Sequence, residues 1–182
     1  MITVDSKKEN NNNTLTLKQR FIKISENYQN ENYLVSEKLA LSTNAIFPNN
    51  EFVWRMLVDI YEKQNKKFKA INACLQLIKL VPQDFTAYTN LGIFYIETAQ
   101  LIKAEEALRK AIELNSYDFF TQYNLGITLI DLGKLQEAEL RLTKAKAIDS
   151  NHAEVHYKLG FVLYKLGKVN ESVLSYKQAL II

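Results

Sequence analysis

The chain has 182 residues, 47% of them hydrophobic, with only five glycines and two prolines. Such a chain forms one domain or a short array of helices, and sandwiches or barrels, which need more turn residues, are disfavoured. A formal charge of +3 with dispersed Lys and Arg excludes a basic nucleic-acid footprint, and the single cysteine, Cys74, excludes an intrachain disulfide.

Residues 1–16 carry acids and the asparagine run Asn10 to Asn13, with no apolar core to a leader and nothing to bury. A disordered tail is expected there, not a secretory signal. No stretch reaches the apolar length of a membrane span, so a cytoplasmic protein is expected.

From residue 17 onward the chain repeats. Asn90-Leu91-Gly92, Asn124-Leu125-Gly126 and Lys158-Leu159-Gly160 follow one another at a step of 34 residues. Ala104, Ala138 and Ser172 keep the same step, as do Ala111, Ala145 and Ala179. Several columns at one period without gaps mark a tandem array. The first copy, 17–50, is faint and readable in Tyr33, Ala40, Ile46 and Pro48. The second, 51–84, has Trp54, Leu57, Tyr61, Ala70 and Pro82. The others cover 85–118, 119–152 and 153–182.

Each copy reads as two helices. In the third, Tyr88, Leu91, Gly92 and Tyr95 recur at helical spacing, and so do Ala104, Leu108, Ala111 and Ile112. Asp84 stands where an N-cap is needed, and Pro48 and Pro82 stop the helices before them. The second copy departs from the pattern. Val58 replaces glycine, Leu77 replaces alanine, and Phe68 is one place off its column, so looser packing is expected there. Cys74 takes the place of a bulky apolar residue and reads as an inert buried thiol.

Trp54…Leu57…Tyr61…Ala70…Pro82 and Tyr88…Leu91-Gly92…Tyr95…Ala104…Ala111 carry a resemblance to the tetratricopeptide repeat. It is strong over 51–182 and weak over 17–50. The resemblance implies an all-α, right-handed solenoid of helix-turn-helix units, with first helices lining a concave groove. It implies a protein or peptide partner held in that groove; no cofactor, no metal and no catalysis are expected, because the residues for them are lacking.

Helical phase then gives the inward residues as those away from the packing face. Phe52 and Arg55 in the second repeat, Asn90 in the third, Phe120, Tyr123 and Asn124 in the fourth, and Tyr157, Lys158 and Phe161 in the fifth form the expected peptide-binding set. Aromatics supply contact area at low entropy cost. Asn90 and Asn124 are one period apart, and an amide that donates and accepts can pair twice with a peptide bond. This is similar to the asparagine ladder of O-linked N-acetylglucosamine transferase repeats. A carboxylate clamp fits poorly, since Asp59 would repel a carboxylate.

Chemistry-bearing constellations are lacking in the sequence. His152 and His156 have a metal-site spacing, but no third ligand completes a set, and His156 fills a packing column. Glu105, Glu106, Glu137 and Glu139 read as a solvated face. The expected function is a scaffold or adaptor that binds an extended segment. Alternatives are the substrate-selecting region of a larger glycosyltransferase-like or sulfotransferase-like enzyme, or an array that self-associates through its C-terminal helix, where Leu180, Ile181 and Ile182 lack a polar cover.

Overall fold

The computed structural model describes residues 15–182, so the tail expected over 1–16 falls, but for its last two residues, outside what is described. The described residues form ten α-helices and no strand. They are α1 (Leu17–Gln29), α2 (Tyr33–Ile46), α3 (Glu51–Lys63), α4 (Lys67–Leu80), α5 (Phe85–Glu97), α6 (Leu101–Leu114), α7 (Phe119–Asp131), α8 (Leu135–Ile148), α9 (Ala153–Lys165) and α10 (Val169–Ile181). First helices begin at 17, 51, 85, 119 and 153, and second helices at 33, 67, 101, 135 and 169, a constant step of 34.

Local chemistry sets these boundaries. The residues before the first helices are Thr16, Asn50, Asp84, Asp118 and His152. In four of them a side-chain oxygen accepts from a first-turn backbone N–H: Gln19 at 3.3 Å, Val53 at 3.3 Å, Thr86 at 3.0 Å and Thr121 at 2.7 Å. Each such cap contributes about 1 kcal/mol. His152 makes no side-chain cap bond. Between the helices of each pair, Glu31, Asn65, Ala99, Gly133 and Gly167 all take a positive φ. One left-handed residue ends a helix and turns the chain toward the next. Only two of the five are glycine, so the other three hold a conformation that costs an L-residue about 1 kcal/mol.

The chain divides into two compact units, the first ending at Leu80 and the second running Val81–Ile182. In the first, α1 to α4 bury Ile24, Leu57 and Ile60 completely. In the second, α5 to α10 bury Leu108, Leu125, Leu129, Leu142, Val155 and Val162, all fully enclosed. Burying each such side chain contributes about 2 kcal/mol.

The two units solve helix pairing in opposite ways. In the second, the first helix supplies glycine and the second helix a large side chain. A Cβ at Gly92 would lie 2.5 Å from Leu108 Cγ, one at Gly126 would lie 2.8 Å from Leu142, and one at Gly160 would lie 2.9 Å from Tyr176 Cδ1. At the same two positions the first unit has Val58 with Cys74 and Ile24 with Ala40, each 2% exposed or less. The bulk has moved from the second helix to the first. This corrects the expectation of looser packing in the second repeat: Val58 fits because Cys74 is small, and Leu77 is also buried. Ser36 and Ser172, at the alanine column, donate to the carbonyls of Ile24 and Gly160 at 2.9 and 2.7 Å, which satisfies both buried hydroxyls.

Candidate functional site

In the second unit the first helices α5, α7 and α9 lie side by side. Their equivalent positions fall into rows, and the rows differ in what covers them. Thr89, Tyr123 and Tyr157 form one row. The Thr89 hydroxyl shares a 2.7 Å hydrogen bond with the Thr121 hydroxyl of α7, and both are buried. Tyr123 is 9% exposed, with its ring stacked on Phe119 at 5.9 Å and tilted against His152 at 6.0 Å. Burial first, and then the Glu154 carboxylate, raise its hydroxyl pKa above the ordinary value. This row is the seam between neighbouring first helices, so Tyr123 is not the exposed anchor expected from helical phase. Tyr157, 54% exposed, is the open end of the same seam. Its ring lies 5.6 Å from Tyr176, and with Ala153, Ala179 and Leu180 the two rings line a groove of about 440 Å³.

The next row is Asn90, Asn124 and Lys158, all half-buried, and beside it run Ile93, Ile127 and Phe161, also half-buried. Lys165 covers the Phe161 ring at 5.6 Å. Phe120 projects from the start of α7, 61% exposed, its ring edge-on to Phe119 at 5.4 Å. These residues form a band in which a polar row runs beside an apolar one. Asn124 is partly committed, because its Nδ2 donates to the Phe120 carbonyl at 2.8 Å. That leaves its amide oxygen and one N–H for a partner.

Phe52 and Arg55 belong to the first unit. The Phe52 ring packs on Phe21 of α1 at 4.3 Å, and Arg55 is paired with Glu51 at 2.7 Å. Neither projects freely as the phase reading expected. Nearby Asp59 is pushed up to about 6 by burial and by Glu62, against the pull of Arg55 and Lys63. Burial disfavours its charged form.

The acids read as a solvated face include one that is buried. Glu105 of α6 is 8% exposed and pairs with Lys134 at 2.7 Å and Arg109 at 2.8 Å, while Arg109 also holds Glu137 at 2.6 Å. Burial pushes the Glu105 carboxyl up, but Lys134 and Arg109 outweigh it and hold it below its ordinary range. The pairing recurs as Glu37 with Lys66 and Glu139 with Lys168, each spanning 29 residues. That recurrence is the signal in the sequence that could have revealed it. His156 is structural: it is buried, with Nε2 2.9 Å from the Ser150 carbonyl oxygen. His152 packs on Phe119 at 4.8 Å. Among the described residues no group of three His, Cys, Asp or Glu is placed to hold a metal, and no helix is long and apolar enough to cross a membrane.

A family model for the tetratricopeptide repeat matches residues 85–118, and a TPR repeat model matches 128–167. No curated protein matches the chain in sequence. Solved structures do. MamA is 21% identical, with 86% of this chain and 92% of that one covered at a TM-score of 0.83. MamA from Desulfovibrio magneticus RS-1 is 15% identical, covering 90% and 92% at 0.83. YrrB, a TPR protein with an unusual peptide-binding site, is 15% identical, covering 94% and 87% at 0.80. At these identities the likeness is one of fold, and the repeat models, the 34-residue step and the paired helices agree: residues 85–118 and 128–167 are tetratricopeptide repeats, within an array that has the tetratricopeptide-repeat fold.

Proposed function

We propose that the second unit holds an extended segment of a partner protein along the band made by α5, α7 and α9. The observation that carries this reading is the row of half-buried amides, Asn90 and Asn124, flanked by the exposed ring of Phe120 and the half-buried ring of Phe161. Amides can pair with peptide groups whatever their side chains, while the two rings offer apolar anchor points. Lys158 replaces the third amide and gives that end of the band a cation, which suits an acidic residue or a carboxylate on the ligand. YrrB, of similar fold, is a precedent for peptide binding by such an array. The role is that of a scaffold or adaptor, with the partner's side chains read only at the anchors.

The test is selection from a random-peptide display library on the purified chain. Enrichment of peptides that share spaced apolar residues and no strict consensus is the expected result. Asn90→Ala with Asn124→Ala should then weaken a selected peptide about tenfold or more, as loss of paired amides does. Equal affinity for the double variant would remove the amides from the account.

A further inference from the structure

We infer that the band made by α5, α7 and α9 is charge-polarised and takes a segment with a basic residue over α5 and α7, an acidic residue over α9 and an apolar residue between them. The inference rests on the peptide-binding reading and names the chemistry of the segment. Three stripes of equivalent residues cross the band. They are Asn90, Ile93 and Glu97 on α5, Asn124, Ile127 and Asp131 on α7, and Lys158, Phe161 and Lys165 on α9. Steps of three and four keep each stripe on one face of its helix. The first two rows are half-buried and the last is exposed.

The change along the rows selects the segment. From α7 to α9 the first row passes from an amide to a cation, and the last from a carboxylate to a cation. Lys158 and Lys165 stand two turns apart with the Phe161 ring between them, and the Lys165 ammonium lies 5.6 Å from that ring. Two turns span about 10 Å, a gap that two long side chains close around one carboxylate. The acid one turn before Lys158, Glu154, acts on the Tyr123 hydroxyl in the seam. The lysines that lead into the second helices are engaged: Glu105 and Glu139 hold Lys134 and Lys168 at 2.7 and 2.6 Å. At the other end of the band the preference reverses. Glu97 and Asp131 are the last residues of α5 and α7, where the partial negative charge of a helix end disfavours an acid. Lys63 and Lys165 at the same position of α3 and α9 follow that rule. A basic side chain of the segment answers the carboxylate and the helix end together. Neighbouring helices pack about 8–10 Å apart and an extended chain rises about 3.3 Å per residue, so the base and the acid stand about three residues apart for α7 and α9.

Selection from a random-peptide display library, run on the native chain and on Lys158→Asn with Lys165→Asp, tests the inference. The double variant copies Asn124 and Asp131 of α7, so it should fold, as its helical signal will show. The native chain should enrich peptides in which an acidic and a basic residue flank an apolar one, and the variant should not. In a peptide selected on the native chain, changing the acid to its amide should weaken binding about tenfold, as loss of a charged partner does. The same change should leave affinity for the variant unaltered. Asp131→Lys should weaken the matching dependence on the basic residue. Peptides that bind the native chain with no dependence on either charge would overturn this inference and leave the band as the site. Failure of both chains to enrich any peptide would overturn the inference and the peptide-binding reading together.

Discussion

Gly92→Val should destabilise the second unit by about 3 kcal/mol, and adding Leu108→Cys should return most of that loss. A Cβ at Gly92 already falls 2.5 Å from Leu108 Cγ, and valine adds two methyls beyond it. Helical propensity favours valine over glycine by only a few tenths of a kcal/mol, far too little to offset the clash. The chain itself shows the remedy, because Val58 and Cys74 occupy the same two positions in the first unit and are both buried. The double variant copies that arrangement. Chemical denaturation of the four chains of the cycle gives the coupling energy, expected at about 3 kcal/mol or more in favour of the pair, since Leu108→Cys alone empties core volume. Additive losses would mean that the exchange of bulk between helices is not what makes Val58 tolerable.

Phe120→Ala with Phe161→Ala should weaken a selected peptide about 100-fold in a chain that still folds, though with lower stability. Phe120 is 61% exposed, while Phe161 is half-buried against the core, so its truncation also costs some stability and affinity is compared below the unfolding transition of the double variant. Interface anchors of this type account for 2 kcal/mol or more each when lost, and the two sit on separate helices, so their effects should add in part. Phe52→Ala is the contrast. Its ring packs on Phe21 at 4.3 Å, so its loss should lower stability and leave the affinity of the second unit unchanged. Titration calorimetry on the three chains separates the two behaviours.

The step of 34 residues was legible because it is written in small residues and leucines that packing requires, and the caps because Asp84 and its equivalents have few other uses. Two kinds of feature were not. Helical phase treats each helix alone, so it placed Tyr123 outward, whereas α9 and the His152 ring lie against it. The same shortcoming left Glu105 on a solvated face when Lys134, 29 residues away, holds it in a buried pair. Compensation between columns was the other. Val58 and Cys74 each read as a departure from the pattern, and only the contact of α3 with α4 shows that they answer one another. Of the expected binding set, Asn90, Asn124, Phe120, Lys158 and Phe161 lie on the first helices of the second unit, while Tyr123 lies in a seam, Tyr157 at an edge, and Phe52 and Arg55 in the first unit.

The central claim is that a peptide lies across the first helices of the second unit, and amide chemical-shift mapping with a selected peptide tests it most directly. Perturbations concentrated at Asn90, Ile93, Phe120, Asn124, Ile127, Lys158 and Phe161 are the predicted result. Perturbations confined to the outer faces of α6, α8 and α10 would contradict it.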